Sequence, residues 1–140
     1  MPKEWPKGGE GWFSVWAPGM RKLLNWLKDT YNNPEIVITE NGLSDNTGTL
    51  EDDHRINYYR DYLSNCLDAI YIDNVNLTGY TAWSILDDWE WRTGYHSLIG
   101  MYKVDFNDPN RARIPKKSAA YFTQIAKNRC LAENPAECIH

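Results

Sequence analysis

At 140 residues the chain has the size of one ordinary domain, long enough for a single core. Its net charge of −4 is spread over mixed-sign segments without a basic run, which argues against nucleic acid and polybasic membrane contacts, and no stretch approaches the ~20 apolar residues of a membrane span. The aromatic content of 14%, with seven Trp, is high and suits either a large core or a surface that stacks on flat ligands such as sugar rings.

Residues 1–17 read as an ordered loop rich in Pro, Gly and Trp, because Trp12, Phe13, Val15 and Trp16 are too apolar for a free tail. The opening Met1-Pro2-Lys3-Glu4-Trp5-Pro6 carries no apolar signal segment. Pro18 suits the first turn of a helix whose apolar stripe is Met20, Leu23, Leu24, Leu27 and Tyr31, and Asn32-Asn33-Pro34 stops it. Ile36-Val37-Ile38 then predicts a short strand buried on both faces, of the kind found in parallel sheets. That strand closes on Thr39-Glu40-Asn41-Gly42, so a carboxylate stands where the strand stops. Glu is rarely buried without a partner, and Glu40 either takes part in chemistry at the sheet edge or caps a neighbouring group.

Residues 43–53 predict a polar loop, and residues 54–70 a second helix with Ile56, Tyr59, Leu63, Leu67 and Ile70 on one face, ended by Asp73-Asn74. A second strand is expected over 79–85, rich in β-formers, followed by a long loop over 86–98. Residues 100–106 alternate in a hairpin-like extended segment, Asn107-Asp108-Pro109-Asn110 turns the chain, and a last helix covers about 116–127 before a surface tail at 128–140. Helices alternating with strands give an α/β fold with parallel strands and crossover helices. Two core strands neither cover helices on both faces nor close into a barrel, so the chain reads as a piece of a larger fold.

Three smaller features bear on chemistry. Cys66, Cys130 and Cys138 make no metal pattern; Cys130 and Cys138 either form a disulfide in an oxidising compartment or remain thiols in a reducing one. His54, His96 and His140 have no ligand spacing, so no metal is expected. Asn76-Leu77-Thr78 is an N-glycosylation sequon, but it immediately precedes a strand expected to be buried, which argues against its use.

The second strand runs into Trp83-Ser84-Ile85-Leu86-Asp87-Asp88-Trp89-Glu90-Trp91. If the two strands are parallel, these carboxylates and indoles lie at the same sheet edge as Glu40. Carboxylates accept hydrogen bonds from adjacent hydroxyls and an indole face packs on the C–H side of a pyranose, so the set suits a sugar. The alternative is that Trp83 and Trp89 are core residues while Asp87, Asp88 and Glu90 lie on a solvated loop.

Thr39-Glu40-Asn41-Gly42 followed by the segment from Gly79 to Trp91 closely resembles the C-terminal part of family-1 glycoside hydrolases, the β-glucosidases and their relatives. Further resemblance lies in Trp12-Phe13-Ser14-Val15 with Pro18-Gly19-Met20-Arg21, in Arg55-Ile56-Asn57-Tyr58-Tyr59, and in Pro115-Lys116-Lys117-Ser118-Ala119, so nearly the whole chain is covered; the animal lactase-like and cytosolic branch is nearest in wording. The resemblance implies a partial (β/α)8 TIM barrel, made of the last two βα units, strands 7 and 8 with their helices. Residues 1–140 would then be a single incomplete barrel segment acting on a β-glycoside and needing the upstream half of the barrel.

By the same resemblance Glu40 matches the catalytic nucleophile that forms a covalent glycosyl-enzyme. Trp83 matches the indole platform under the sugar, Glu90 the carboxylate holding the 4- and 6-hydroxyls, and Trp91 an indole N–H directed at a neighbouring hydroxyl. Asn41 would orient Glu40 and Gly42 would free the turn. The pattern also has departures. Retaining hydrolysis needs a second carboxyl about 5–5.5 Å from the nucleophile, and no Asn-Glu-Pro motif that would carry it exists here. The usual Arg-Phe-Gly reads Leu98-Ile99-Gly100, and the usual Asn-Phe before Glu-Trp reads Asp88-Trp89. The expected function is the C-terminal portion of a retaining β-glycosidase, inactive in isolation and needing no cofactor. The alternative is a truncated, non-catalytic paralogue serving as a carbohydrate-binding or protein-interaction module. Either a cytoplasmic or a secreted location fits the sequence.

Overall fold

A computed structural model describes residues 5–9, 11 and 13–132. Trp12, Cys138 and His140, and most of the expected tail, lie outside the described residues. In chain order the elements are α1 (Pro18–Thr30), β1 (Ile36–Asn41), α2 (Asp53–Tyr71), β2 (Leu77–Ala82), a 3-10 turn (Trp91–Thr93), β3 (Tyr102–Val104), β4 (Arg113–Pro115) and α3 (Lys117–Asn128). The chain is therefore α/β, and no closed barrel forms among the described residues.

β1 and β2 pair in parallel, with Ile36 opposite Leu77, Val37 opposite Gly79, Ile38 opposite Tyr80 and Asn41 opposite Ala82. Helices α1 and α2 cover one face of this pair, where Leu24, Cys66, Ala69 and Val75 pack with Ile36, Ile38 and Leu77. The sequence expectation of a strand buried on both faces is corrected here. Val37 is 51% exposed, because side chains alternate across a strand and only one face is covered among the described residues.

Helix α2 also differs from its expected stripe. Ile56 and Tyr59 are buried, but the inward face continues through Tyr58, Tyr62, Cys66 and Ala69, while Leu67 is 40% exposed. Tyr58 and Tyr62, one turn apart, stack with ring centroids 4.2 Å apart, and large aromatics so placed rotate the buried face away from Leu67. This face meets α3 and the strand ends in a cluster that includes Leu43, Ala82, Met101, Ala119 and Tyr121.

The remaining elements fall close to expectation. The segment after Gly100 does form a hairpin-like pair, β3 antiparallel to β4. The second strand stops at Ala82 rather than 85, and the Trp83–Ser84 peptide bond that follows is cis. Helix α3 begins one residue later than expected because Lys116 is extended (φ −86°, ψ 165°) and its ammonium is buried against Asp87 at 2.9 Å. Arg21 forks onto Asp73 at 2.6 and 2.8 Å and reaches Asp68 at 3.0 Å, which ties α1 to the end of α2. That guanidinium, with the Asn25 amide, holds the Asp73 carboxyl well below the usual range.

A buried polar knot joins the loop after β1 to both later helices. Arg55 is wholly buried and donates to the Leu43 carbonyl at 3.0 Å, to Asp45 at 3.0 Å, to the Leu98 carbonyl at 2.7 Å and to Asp52. Asp52 in turn accepts from the Ser118 N–H at 2.8 Å and its hydroxyl at 2.6 Å, at the first turn of α3. One guanidinium fork thus satisfies four acceptors supplied by two loop segments and a helix start.

A candidate sugar-binding edge at the ends of the parallel strands

Because β1 and β2 are parallel, their C-terminal ends lie side by side, and the residues that leave them share one edge. Glu40 is the penultimate residue of β1 and is exposed. Asn41 follows and both ends of its amide are bonded: Nδ2 donates to the Tyr58 hydroxyl at 3.0 Å, and Oδ1 accepts from the Tyr80 hydroxyl at 2.7 Å. The Asn41 carbonyl also accepts the Trp83 N–H at 2.8 Å. The family resemblance implies that Asn41 orients Glu40; its side chain also bonds the two tyrosines and so anchors the strand end to α2 and β2. Sequence reasoning missed Tyr58 and Tyr80 as neighbours of the strand end, because nothing in their local spacing marks a hydroxyl that meets a residue 17 or 39 positions away.

Gly42 has a different reason from the free turn expected for it. A Cβ there would stand 1.5 Å from the Trp83 carbonyl oxygen, so only glycine lets the two strand exits approach this closely. The Tyr59 hydroxyl reaches the same carbonyl at 3.3 Å.

On the β2 side, the Trp83 indole N–H donates to Glu90 Oε1 at 3.1 Å. Glu90 sits at the start of the 3-10 turn, where its carbonyl accepts from the Thr93 hydroxyl at 2.7 Å and its N–H donates to Gly94 at 2.8 Å. Trp89 and Trp91 are 54% and 77% exposed, with ring centroids 5.6 Å apart. The reading of Trp89 as a core residue is thereby corrected: its loop carries it away from the packed layers. Asp87 is corrected in the other direction. It is buried, paired with Lys116 and accepting the Gly100 N–H at 2.9 Å, not solvated. A Cβ on Gly100 would lie 2.1 Å from the Asp87 nitrogen, so this crossing also requires glycine.

The structure thus joins Trp83 to Glu90 directly and sets Glu40 on the neighbouring strand end. Among the described residues no hydrogen bond or ion pair links Glu40 to Trp83, Glu90 or Trp91. A cavity of about 540 Å³ flanks the loop, lined by Leu86, Asp87, Asp88, Trp89 and Tyr95 among others.

Asp88 is the electrostatic outlier of this edge. Burial, then the Glu90 carboxyl hydrogen-bonded to it, and then the charges of Glu90 and Asp87 raise it from 3.8 to about 6. The folded chain therefore binds a proton that the unfolded chain has already lost between these values. Its contribution to stability is present below about pH 4 and disappears as pH rises through about 6. Asp88→Asn abolishes that dependence. In urea unfolding at pH 4.5 and pH 7, the parent chain is expected to lose stability relative to the Asn variant at the higher pH; a constant difference between the two would contradict the assignment.

The family model "Glycosyl hydrolase family 1" matches residues 1–130. The chain belongs to glycosyl hydrolase family 1. Among the family's curated members it is 40% identical over 142 residues to the lactase/phlorizin hydrolase of Homo sapiens, covering 99% of this chain and 7% of that protein. It is 46% identical over 126 residues to myrosinase 1 of Brevicoryne brassicae, covering 89% of this chain and 27% of that one. Among solved structures, aphid myrosinase superposes with a TM-score of 0.81 at 43% identity, over 91% of this chain and 26% of that one. A β-glucosidase from Thermotoga maritima superposes with a TM-score of 0.86 at 31% identity, over 94% of this chain and 30% of that one. This family-1 chain therefore spans less than a third of the length of each of these relatives.

Proposed function

We propose that residues 1–140 form the C-terminal portion of a retaining β-glycosidase, a single incomplete segment made of the last two βα units of a (β/α)8 barrel. Glu40 attacks the anomeric carbon and carries the covalent glycosyl-enzyme. Trp83 is the platform beneath the sugar, Glu90 takes its hydroxyls, and Trp91 offers its indole N–H from the open side.

The observation that carries this reading is the parallel pairing of β1 and β2, with Glu40 at one strand end and the Trp83–Glu90 hydrogen bond at the other. In that bond the indole holds Oε1 of Glu90 and orients the carboxylate toward the strand-end edge, where it would accept a sugar hydroxyl. The exposure of Glu40 leaves it open to an incoming anomeric carbon. A second carboxyl about 5–5.5 Å away must protonate the leaving oxygen and later activate water. In this reading it comes from the upstream half of the barrel.

The test is covalent trapping. A 2-deoxy-2-fluoro-β-glucoside with a good leaving group is given to the barrel formed by this chain with its upstream half, and the digest is sequenced by mass spectrometry. The sugar is expected on the peptide containing Glu40, and on no peptide in Glu40→Gln. A label on a different carboxylate would overturn the assignment.

A further inference from the structure

We propose that Asn76 is an N-glycan acceptor. Asn76-Leu77-Thr78 is the one Asn-X-Ser/Thr sequon in the sequence. Its apparent defect, that it abuts a strand expected to be buried, is removed by the fold. Asn76 is exposed in the turn before β2, beside the exposed Asn33 and Asn74.

The local hydrogen bonding leaves the acceptor atom available. The Asn76 backbone is held on both sides, its N–H donating to Asn33 Oδ1 at 3.0 Å and its carbonyl accepting the Ile36 N–H at 2.9 Å. No hydrogen bond takes up its side-chain amide among the described residues. Thr78 is also exposed, its hydroxyl donating to Glu35 at 2.9 Å on the surface. A glycan on Nδ2 therefore displaces no packed group and breaks no hydrogen bond.

Topology places the modification away from the sugar-binding edge. Ile36 pairs with Leu77 at the N-terminal ends of β1 and β2, whereas Glu40 and Trp83 lie at the C-terminal ends. Six residues at ~3.3 Å each put about 20 Å between the two ends. A separate feature agrees with this: Cys130 is disulfide-bonded, and disulfides persist in oxidising lumens, where N-glycan transfer also takes place. In the transfer, the Asn76 amide nitrogen bonds to the anomeric carbon of a polyisoprenyl-diphosphate-linked oligosaccharide. The anomeric C–O bond to the diphosphate breaks, and one amide proton leaves.

The experiment uses native protein digested in ¹⁸O-water with a peptide N-glycosidase, which converts a glycosylated Asn into ¹⁸O-labelled Asp. Label at position 76 is expected. In chains expressed through a eukaryotic secretory route, Asn76→Gln and Thr78→Ala are expected to migrate faster by one oligosaccharide, and Thr78→Ser to keep the slower mobility. A native peptide whose Asn76 is wholly unmodified would overturn the proposal. This readout involves neither Glu40 nor hydrolysis, so it stands or falls apart from the glycosidase reading.

Discussion

Arg55→Ala is expected to destabilise the fold by about 3–5 kcal/mol, the range seen when one partner of a buried ion pair is removed. Against the roughly 5–15 kcal/mol that holds an ordinary domain together, this leaves the chain marginal or unfolded. The reason is the number of acceptors that depend on this one fork. Without it, the Leu43 and Leu98 carbonyls lose a donor, and Asp52, wholly buried, keeps only Ser118. Arg55→Lys retains the charge but not the planar geometry, so it is expected to recover only part of the loss. Urea unfolding midpoints for the three chains check the order; an unchanged midpoint in Arg55→Ala would remove the knot from the account of stability. Acid acts on the same knot. Although burial pushes Asp45 upward, the N–H groups of Gly48 and Thr47, the Thr47 hydroxyl and the Arg55 charge hold it down at about 2. Its contribution is present above its ordinary value of 3.8 and is lost as pH falls toward about 2.

Glu40→Gln in the assembled barrel is expected to lower kcat for an aryl β-glucoside on the order of 10⁴-fold or more, as removal of a nucleophile does elsewhere. The amide matches the carboxylate in size but cannot carry the glycosyl group, so the loss falls on kcat while KM changes little. In the proposed reading the acid/base carboxyl comes from the upstream half of the barrel, so the 140-residue chain alone is expected to show no turnover. Initial rates of chromogenic substrate hydrolysis, with and without the upstream half, measure both effects. Turnover by the isolated chain that vanishes in Glu40→Gln would contradict the second expectation and support the first. Azide rescue of a variant lacking the carboxylate, Glu40→Ala, would further separate a nucleophile from a merely structural acid.

Much of the architecture was legible because it is written in local periods. The stripe from Met20 to Leu27, the three β-branched residues before Glu40 and the stops at Asn32-Asn33-Pro34 and Asp73-Asn74 each depend on residues a few positions apart. They fixed the order helix, strand, helix, strand, and with it the position of a carboxylate at a strand end. Family membership rests on the match over residues 1–130; in the sequence it shows as the resemblance of the motifs at 39–42 and 79–91 to that family.

The tertiary structure decided what depends on partners far along the chain. Asn41 turns to Tyr58 and Tyr80, which are 17 and 39 positions away. Gly42 is required by the Trp83 carbonyl, Asp87 is buried by Lys116, and Asn76 is exposed at the bottom of a strand pair. No local period encodes which helix face turns outward at Leu67 or which sheet face is left open at Val37, since both follow from the layers that happen to pack there. Sequence alone determined the elements and the chemical types at their ends; register and packing determined which of those groups meet, because contact between distant residues is a property of the folded chain and not of its spacing.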